Sequence, residues 1–316
     1  MLASVRQLRN RGVLGMNARN ADFIQRYNPR RLYPLVDDKL ETKQLALAAG
    51  IAVPELYGTM STPGETGGFA DIVAEREEFV IKPAHGSGGD GILVVAGKSA
   101  RRRGQYRLID GSFMTEAEIR FHVTNIISGR YSLGGHRDCA MVEYCVQTDH
   151  VFEHVSYRGI PDVRVLVFRG YPVAAMVRLP TRASHGKANL HQGAVGAGID
   201  LVLGRTQFGV LDNGITDEHP DTGELIAGID LPNWDVLLEL AARCYELTGL
   251  GYQGVDLVLD RQHGPLILEL NARPGLGIQI ANRLGLAKRL RRIEAEADGA
   301  GVAERLALAR QLFGAN

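Results

Sequence analysis

The sequence has few of the features that mark several large classes of protein. It carries three cysteines, Cys139, Cys145 and Cys244, which are scattered, odd in number and not arranged as CxxC. This spacing argues against a disulfide framework or a zinc knuckle and predicts a reducing, cytoplasmic location. No apolar run reaches the roughly 18 residues that a membrane-spanning helix needs. No signal-peptide core precedes a cleavage site.

An excess of charge of either sign is also missing. The 36 basic and 36 acidic residues balance to a net charge of zero, so we expect no global attraction to nucleic acid or to a membrane. A hydrophobic content of 45% and a charged content of 23% are typical of a globular protein. The length of 316 residues predicts about two domains. The sequence contains no internal repeat and no low-complexity segment.

The first 36 residues are locally basic, with a single acid, Asp22. Their arginines are Arg6, Arg9, Arg11, Arg19, Arg26, Arg30 and Arg31. An organelle transit peptide has a similar composition. The pattern of these residues favours a short helical arm that packs on the body, with its arginines near an anionic substrate. A solvated basic face is an equal alternative.

The next segment, DDKLETKQLALAAG, predicts a helix from Asp37 to Gly50. Asp37 or Asp38 can cap its start, and Gly50 ends it. Lys39 and Lys43 lie one turn apart on this helix. Exposed helical lysines usually only solvate a helix, so the pattern alone gives neither lysine a role.

A short buried strand is predicted from Glu78 to Pro83, and Lys82 lies near its end. It runs into the glycine-rich segment 84–91 and then into a second strand, 92–96. Glycine-rich loops let backbone N–H groups approach an anion closely. This is neither a Walker A loop nor a dinucleotide fingerprint, because no Gly-Lys-Ser/Thr follows and a strand rather than a helix comes next. The pattern favours a flap over nucleotide phosphates, with a plain flexible hairpin as the alternative.

The middle of the chain alternates helices and strands. Thr115 and Glu118 form a capping-box pattern that opens a helix to about Ser128. We also predict a buried strand at 139–146, a hairpin made of 163–168 and 172–179, a long polar loop at 180–195, short strands at 196–203 and 207–213, and a helix at 233–248. From about Leu284 to Phe313 the composition predicts a charged helix.

One hairpin, GVDLVLDRQHGPLILELNARPGLG, brings acidic residues into nearly continuous apolar runs. Folding it about its turn places Asp256 opposite Glu269 or a neighbour, and alternation puts Glu269 and Asn271 on one face. Such apolar runs indicate buried strands, and buried carboxylates require a cation, an arginine or a metal. Carboxylate and amide oxygens suit Mg²⁺ shared with substrate phosphates. A solvated strand edge is the alternative.

The order of these segments resembles the ATP-grasp superfamily, and within it the RimK-type and alpha-L-glutamate ligase-like proteins, which are related to sugar-transfer-associated ATP-grasp domains. The resemblance extends from about Asp37 to Leu286. The motifs that carry it are DDKLETKQLALAAGIAVP, FVIKPAHGSGGDGI, PDVRVLVFRGYPVAAMVR, ANLHQGA and GVDLVLD…LILELNARPGLG.

The resemblance implies an α+β fold with two α+β subdomains and the nucleotide between them. The expected organisation is a basic N-terminal arm at 1–36, an N-subdomain with the lysine helix and flap at 37–145, a C-subdomain with the metal hairpin at 146–286, and a C-terminal helix at 287–316. Such ligases usually carry a full N-terminal α/β domain. Only 38 residues precede Lys39, so we expect that domain to be truncated.

The resemblance also implies roles for individual residues. For ATP binding, it matches Lys39 and Lys82 to the lysines that contact the phosphates. It matches Ser87, Gly88 and Gly89 to the flap. The hinge that holds adenine corresponds to Glu143, Tyr144 and Cys145, and a ribose contact to Glu153 or Asp149. For catalysis, it matches Arg164, Arg178 and Asn189 to positions near the phosphates and the acyl group, and Arg273 to a substrate contact. For the metal, it matches Asp256, Glu269 and Asn271 to ligands of Mg²⁺ or Mn²⁺.

The implied activity is an ATP-dependent carboxylate–amine ligase that forms an amide through an acyl phosphate, with glutamate, an amino acid or a peptide among the substrates. The alternatives are an ATP-binding module without ligation and a phosphotransferase. The segment 101–135 is longer and more basic than expected, and it can replace missing surface or dock a partner. Association into homo-oligomers through the C-terminal helix is a further expectation.

Overall fold

The computed structural model describes residues 4–86, 88–99, 104–212, 214–297 and 299–314. Ser87, which the sequence assigns to the flap, lies outside the described residues. The chain forms two compact units. The small unit comprises Asp38–Lys43 and Pro54–Val146, and the large unit comprises Met1–Asp37, Gln44–Val53 and Gln147–Asn316.

The small unit is built on an antiparallel sheet of six strands. These are β1 (Leu56–Met60), β2 (Phe79–Pro83), β3 (Leu93–Lys98), β4 (Gln105–Leu108), β5 (Phe113–Thr115) and β6 (Ala140–Glu143). Their order in the sheet is β1-β6-β2-β3-β4-β5. Every residue of β2 and β6 is buried, as expected for the apolar runs that form the two strands.

The helix Glu116–Ile127 packs against β2, β5 and β6. Thr115 caps its start: the Thr115 hydroxyl accepts from the Glu118 N–H, and the Glu118 carboxylate accepts from the Thr115 N–H at 2.7 Å. The predicted capping box is therefore confirmed. The other helical segments that begin in this unit are Lys39–Ala48, Pro63–Gly68, Phe69–Ile72 and Leu133–Gly135.

The large unit contains an antiparallel sheet of seven strands. They are β7 (Asp162–Phe168), β8 (Tyr171–Leu179), β9 (Val195–Ile199), β10 (Thr206–Leu211), β11 (Gly214–Thr216), β12 (Tyr252–Asp260) and β13 (Gly264–Asn271). The order is β11-β10-β9-β8-β7-β12-β13. All nine residues of β12 are buried, so its apolar run forms a central strand.

The predicted hairpin of β7 and β8 turns within two residues. Arg169 and Gly170 have φ angles of 53° and 84°. Two successive positive φ values are those of a type I′ turn, whose twist matches the twist of the paired strands. A Cβ on Gly170 would lie 2.3 Å from the guanidinium of Arg305, so that side chain would have to shift.

The helix Trp234–Thr248 packs against β7, β8, β12 and β13 and buries its apolar stripe of leucines and alanines. In the same core, the Phe23 ring stacks on Tyr252, and the Phe168 ring meets both of them edge to face. The remaining helical segments are Val5–Asn10, Met16–Ala18, Arg19–Ile24 (a π-helical turn), Gln25–Tyr27, Arg30–Leu32, Pro34–Asp37, His150–Phe152, Leu190–Gln192, Gly277–Ala281, Leu286–Glu296 and Val302–Phe313.

The predicted continuous C-terminal helix is wrong. Two helices, Leu286–Glu296 and Val302–Phe313, occupy this part of the chain. Ala297 leaves the helical conformation with ψ of 120°, and Gly299 has a φ of 82°. Glycine readily adopts a positive φ. The segments on both sides of the break are rich in leucine, alanine and arginine, so the composition does not reveal where the first helix ends. Among the described residues, no helix is long and apolar enough to cross a membrane.

Candidate functional site

A buried charge cluster lies on the sheet of the small unit, where Glu143 ends β6 and Lys82 lies near the end of β2. The Lys82 ammonium pairs with the Glu143 carboxylate. Lys43, on the lysine helix, lies with its Nζ 2.9 Å from Glu143 Oε2 and also donates to the Pro54 carbonyl. The three side chains are at most 7% exposed. Two cations therefore share one carboxylate out of contact with bulk water.

This cluster carries an excess of positive charge. Burial raises the pKa of Glu143, but the ammonium groups of Lys82 and Lys43 outweigh that effect and hold the pKa below its usual range. Burial also lowers the pKa of Lys43, against the attraction of Glu143. The cluster contains two basic side chains and one acidic side chain. Buried charge of this kind favours the approach of an anion.

The glycine-rich loop of the small unit is held at its start by Lys39. The Lys39 N–H donates to the Ala84 carbonyl at 3.0 Å, and its ammonium donates to the Gly86 carbonyl at 2.5 Å. Gly88 and Gly89 have φ angles of 65° and 79°, which L residues with side chains rarely adopt. Successive N–H groups in such a conformation can form a concave anion site.

The residues assigned to the hinge and the ribose contact lie in different units. Tyr144 extends beyond β6 and donates its N–H to the Glu55 carbonyl at 2.8 Å, and Cys145 is buried. Glu153 belongs to the large unit, where its exposed carboxylate binds the His150 ring at 2.7 Å and Arg261 at 2.8 Å. Asp149 caps the short helical turn His150–Phe152. Each of these two acids already has local partners.

In the acidic hairpin of the large unit, the residue opposite Asp256 lies within the predicted range, and a bulge after Asp256 sets the register there. Asp256 on β12 pairs directly with Glu269 on β13, and Gly254 pairs with Asn271. Because alternate residues share a face, the side chains of Asp256, Glu269 and Asn271 lie on one face of the hairpin. The amide of Asn271 donates to Asp256 Oδ2 at 3.1 Å, which confirms that the two side chains meet.

Two arginines from the neighbouring hairpin bind the same carboxylate. Arg164, which lies opposite Asp256 in the sheet, makes a bidentate pair with it at 2.6 and 2.5 Å. Arg178 donates to Asp256 at 2.9 Å and makes its own bidentate pair with Asp162, its partner across the β7–β8 ladder, at 2.5 Å. A bidentate pair fixes both the position and the orientation of the guanidinium relative to the carboxylate.

The two buried carboxylates differ in their proton affinity. Burial raises the pKa of Asp162 to about 6, against the attraction of Arg178 and with the help of the nearby negative charge of Asp256. Burial also acts on Asp256, but the guanidiniums of Arg164 and Arg178 outweigh it and hold its pKa at about 2. Asp256 is therefore ionised at neutral pH, and Asp162 titrates at a mildly acidic pH.

The donor groups of the hairpin fit a hard divalent cation. Glu269 makes no hydrogen bond or ion pair with any other described residue, so its carboxylate is available. Asn271 turns its amide N–H toward Asp256, which leaves its carbonyl oxygen as an acceptor. Asp256 contributes a third oxygen group but shares it with two arginines. Oxygen donors of this type suit Mg²⁺. Within the described part of the chain, no three His, Cys, Asp or Glu side chains form a metal cluster by themselves.

The other two residues assigned to catalysis have local contacts. Asn189 caps the short turn Leu190–Gln192 by accepting from the His191 N–H at 3.0 Å. Arg273 is exposed, and its guanidinium lies 5.0 Å from the centre of the Tyr33 ring. In the described residues, no hydrogen bond joins either side chain to Asp256 or Glu269.

Sequence reasoning missed two members of these clusters. A helical lysine usually lies on a solvated face, yet Lys43 is 5% exposed and binds Glu143. Its spacing of four residues from Lys39 was the only available signal, because its burial depends on the sheet below it. Asp162 received no role, although its position opposite Arg178 in the predicted hairpin was readable from the turn.

The family of the chain follows from comparison with known sequences. Residues 18–295 match the sequence profile of the family described as "Sugar-transfer associated ATP-grasp". The chain belongs to this family, so its two α+β units with antiparallel sheets form an ATP-grasp fold.

Individual relatives match the chain at about one quarter identity. The chain is 27% identical over 254 residues to a "Probable alpha-L-glutamate ligase" of Maridesulfovibrio salexigens, covering 80% of this chain and 61% of the relative. It is 25% identical over 254 residues to a "Ribosomal protein bS6--L-glutamate ligase" of Salmonella paratyphi B, covering 78% and 61%. The chain thus spans about three fifths of the length of these relatives.

Solved structures are similar at a low level. A RimK domain ATP-grasp protein from Sphaerobacter thermophilus is 16% identical with a TM-score of 0.46, over 84% of this chain and 70% of the other. D-alanine--D-alanine ligase from Bacillus anthracis is 12% identical with a TM-score of 0.46, over 88% and 69%.

Proposed function

We propose that this protein is an ATP-dependent carboxylate–amine ligase that forms an amide through an acyl phosphate. The observation that carries the proposal is the register of the β12–β13 hairpin. It places the oxygen groups of Asp256, Glu269 and Asn271 on one face, beside two partly buried arginines. Membership of the ATP-grasp family supports ATP as the co-substrate.

In this proposal the small unit binds the nucleotide. Lys39 and Lys82 neutralise phosphate oxygens, and the excess positive charge around Glu143 favours their approach. The left-handed glycines Gly88 and Gly89 let backbone N–H groups reach the same oxygens. The backbone at Tyr144 and Cys145 forms the hinge beside adenine.

The large unit holds the reacting groups. Asp256, Glu269 and Asn271 would hold Mg²⁺ or Mn²⁺, which when bound supplies charge neutralisation for the phosphates. Arg164 and Arg178 are fixed by bidentate pairs, so their guanidiniums need no reorganisation as negative charge develops. Asn189 and Arg273 are the proposed contacts of the acyl group and the substrate carboxylate.

The chemistry requires alignment more than covalent participation by the protein. A carboxylate attacks the γ-phosphorus of ATP, so that ADP leaves and an acyl phosphate forms. An amine then attacks the acyl carbon, phosphate leaves, and an amide results. Positioning and electrostatic stabilisation can supply most of the acceleration in such transfers.

The substrate class is inferred from the relatives. The two relatives described above are named glutamate ligases, one of them acting on a ribosomal protein. We infer glutamate as one substrate and an amino acid or peptide as the other.

The test is ADP release from Mg-ATP across a panel of amino acids, peptides and carboxylic acids, followed by mass spectrometry of the product. We expect an amide with glutamate in the mixture. A phosphorylated product without an amide would support a phosphotransferase instead, and ATP binding without any ADP release would support a non-ligating module.

The matched variants are Glu269→Gln and Glu224→Gln, both in the large unit. Loss of the Glu269 carboxylate should reduce turnover at least about 100-fold, as for the removal of a preorganised catalytic group. Glu224 is exposed, and its replacement should leave turnover unchanged. Normal turnover by Glu269→Gln would show that the metal assignment is wrong.

A further inference from the structure

His85 opens the glycine-rich loop directly after β2, and a buried carboxylate fixes its ring. Its Nδ1 lies 2.9 Å from Asp138 Oδ1. The backbone N–H of His85 is also shared between the two oxygens of Asp138, at 3.1 and 3.2 Å. Both the ring and the backbone at this position are therefore held by the same acid.

Asp138 is suited to remain ionised. Its side chain has no exposed surface, and it also accepts from the Ser132 hydroxyl at 2.5 Å and from the Cys139 N–H at 2.7 Å. Burial raises the pKa of Asp138, but the hydrogen bonds from Ser132, His85 and Cys139 outweigh it and leave the pKa below its usual range. An ionised carboxylate only accepts, so the proton of a neutral His85 lies on Nδ1.

The opposite edge of the ring is open. The His85 side chain is 45% exposed, and its Nε2 lies 3.6 Å from Asp38 Oδ2. Asp38 already caps the lysine helix by accepting from the Leu40 N–H at 2.8 Å. The Lys39 ammonium reaches the Gly86 carbonyl, the next residue after His85. The charged groups around the ring are thus Asp138, Asp38 and Lys39.

We propose that His85 is a further phosphate-binding residue, which donates Nε2–H as an imidazolium to a phosphoryl oxygen of the nucleotide held by Lys39. Asp138 acts through His85 as a positioning residue, because it fixes the ring and occupies Nδ1. The proposal rests on the proposed function, since it needs a nucleotide at the glycine-rich loop. The carboxylates of Asp138 and Asp38 lie at the two ring nitrogens, so both nitrogens of a protonated ring would face acceptors.

This arrangement makes nucleotide binding depend on pH. The protonated ring donates from both nitrogens, whereas the neutral ring with its proton on Nδ1 only accepts at Nε2. The lone pair of Nε2 then faces the phosphate oxygen, and no hydrogen bond forms between these two acceptors. Loss of a hydrogen bond to a charged group corresponds to roughly tenfold in affinity.

The test is calorimetric binding of Mg²⁺ with the non-hydrolysable analogue β,γ-imido-ATP at about pH 6 and about pH 8.5, which bracket a histidine pKa. For the unaltered protein, we expect about tenfold weaker binding at the higher pH. His85→Gln keeps a neutral donor, so its affinity should change much less with pH. Asp138→Asn should weaken binding at about pH 6, because the ring loses the carboxylate that fixes its Nδ1.

The matched control is His122→Gln. His122 contacts the same loop, with Nε2 2.9 Å from the Gly91 carbonyl, but it lies on the helix Glu116–Ile127. The affinity of His122→Gln for the nucleotide should keep the full pH dependence of the unaltered protein, including any part that comes from the nucleotide itself. If His85→Gln keeps the slope of the unaltered protein, the phosphate contact of His85 is refuted and its role is only to anchor the loop. If the unaltered protein binds no nucleotide at either pH, the proposed function fails instead.

Discussion

At the scale of single residues, Arg178 is shared by two buried carboxylates with different partners. Asp256 receives both Arg178 and the bidentate Arg164, whereas Asp162 receives Arg178 alone. The carboxylate with two guanidiniums has its pKa held at about 2, and the other has its pKa raised to about 6. The cluster therefore gains its first proton at Asp162 as the pH falls.

Replacing Asp162 by asparagine should remove a pH dependence of stability. Because the pKa of Asp162 is about 6 in the folded protein and lower when unfolded, its protonated form favours folding. That contribution is fully present below about pH 4 and is lost as the pH rises through about 6. Between these limits, the free energy of unfolding should fall by up to roughly 3 kcal/mol more for the unaltered protein than for Asp162→Asn. Urea unfolding at a series of pH values measures this.

The control for this comparison is Asp230→Asn. Asp230 is exposed, and its pKa is lowered by its hydrogen bond with Arg205, so its contribution to stability is lost only at lower pH. This variant should keep the pH dependence of the unaltered protein between about pH 4 and 7. An unchanged slope in Asp162→Asn would assign the titration to another group.

At the scale of elements, the glycine-rich loop is held at both ends by side chains outside it. Lys39 and Asp138 hold the residues that follow β2. At the far end, Gly91 packs against Tyr131, and a Cβ there would lie 2.6 Å from the ring. Gly88, in the middle, has no atom within 4 Å of such a Cβ. The same residue type is thus required for different reasons at the two positions.

Alanine substitutions should separate these reasons. Gly88→Ala incurs only the cost of a left-handed conformation at φ 65°, roughly 1–2 kcal/mol. Gly91→Ala has a similar φ of 77° and also overlaps Tyr131, which adds about 1–3 kcal/mol for overpacking. Chemical unfolding of both variants measures the difference. Equal stabilities would show that Tyr131 moves aside freely, and Gly91→Ala combined with Tyr131→Ala should recover the overpacking part.

At the scale of the whole molecule, the chain combines two units that each have a hydrophobic core. The core of the small unit is centred on Phe69, Phe79 and Tyr106, and that of the large unit includes Phe168 and Tyr252. The family profile spans both units, and the chain covers 61% of the length of the glutamate ligases described above. Because the family profile includes both units, nucleotide binding should be measured on a chain that contains both of them.

Binding of Mg²⁺ with β,γ-imido-ATP should stabilise the chain. At a concentration 100 times the dissociation constant, the linkage amounts to about 2.7 kcal/mol, which corresponds to roughly 4 °C in Tm for a chain of this size. Differential scanning calorimetry measures the shift. Lys82→Met should reduce it, because Lys82 is a proposed phosphate contact in the buried cluster with Glu143. Absence of any shift at millimolar nucleotide would count against the whole proposal.

The sequence by itself determined most of the longer helices and strands and the existence of the acidic hairpin, whereas a bulge after Asp256 decides that Glu269 lies opposite it. The predicted features depend on local signals: the Thr115 capping box, the turn around Gly170, and the alternation that puts Glu269 and Asn271 on one face. Motifs in order along the chain were also sufficient for the family. Local patterns of this kind survive without knowledge of the packing.

Only the tertiary structure decided which charges meet. Lys43 and Lys82 both bind Glu143, and Asp138 binds His85. The partners in each of these contacts are 53 or more positions apart in the chain. Burial then sets the charge states, as for Asp162 and Asp256, which have the same side chain and opposite pKa shifts. Desolvation and charge–charge interactions depend on distances in space, and these distances are fixed only when the sheets and helices have packed.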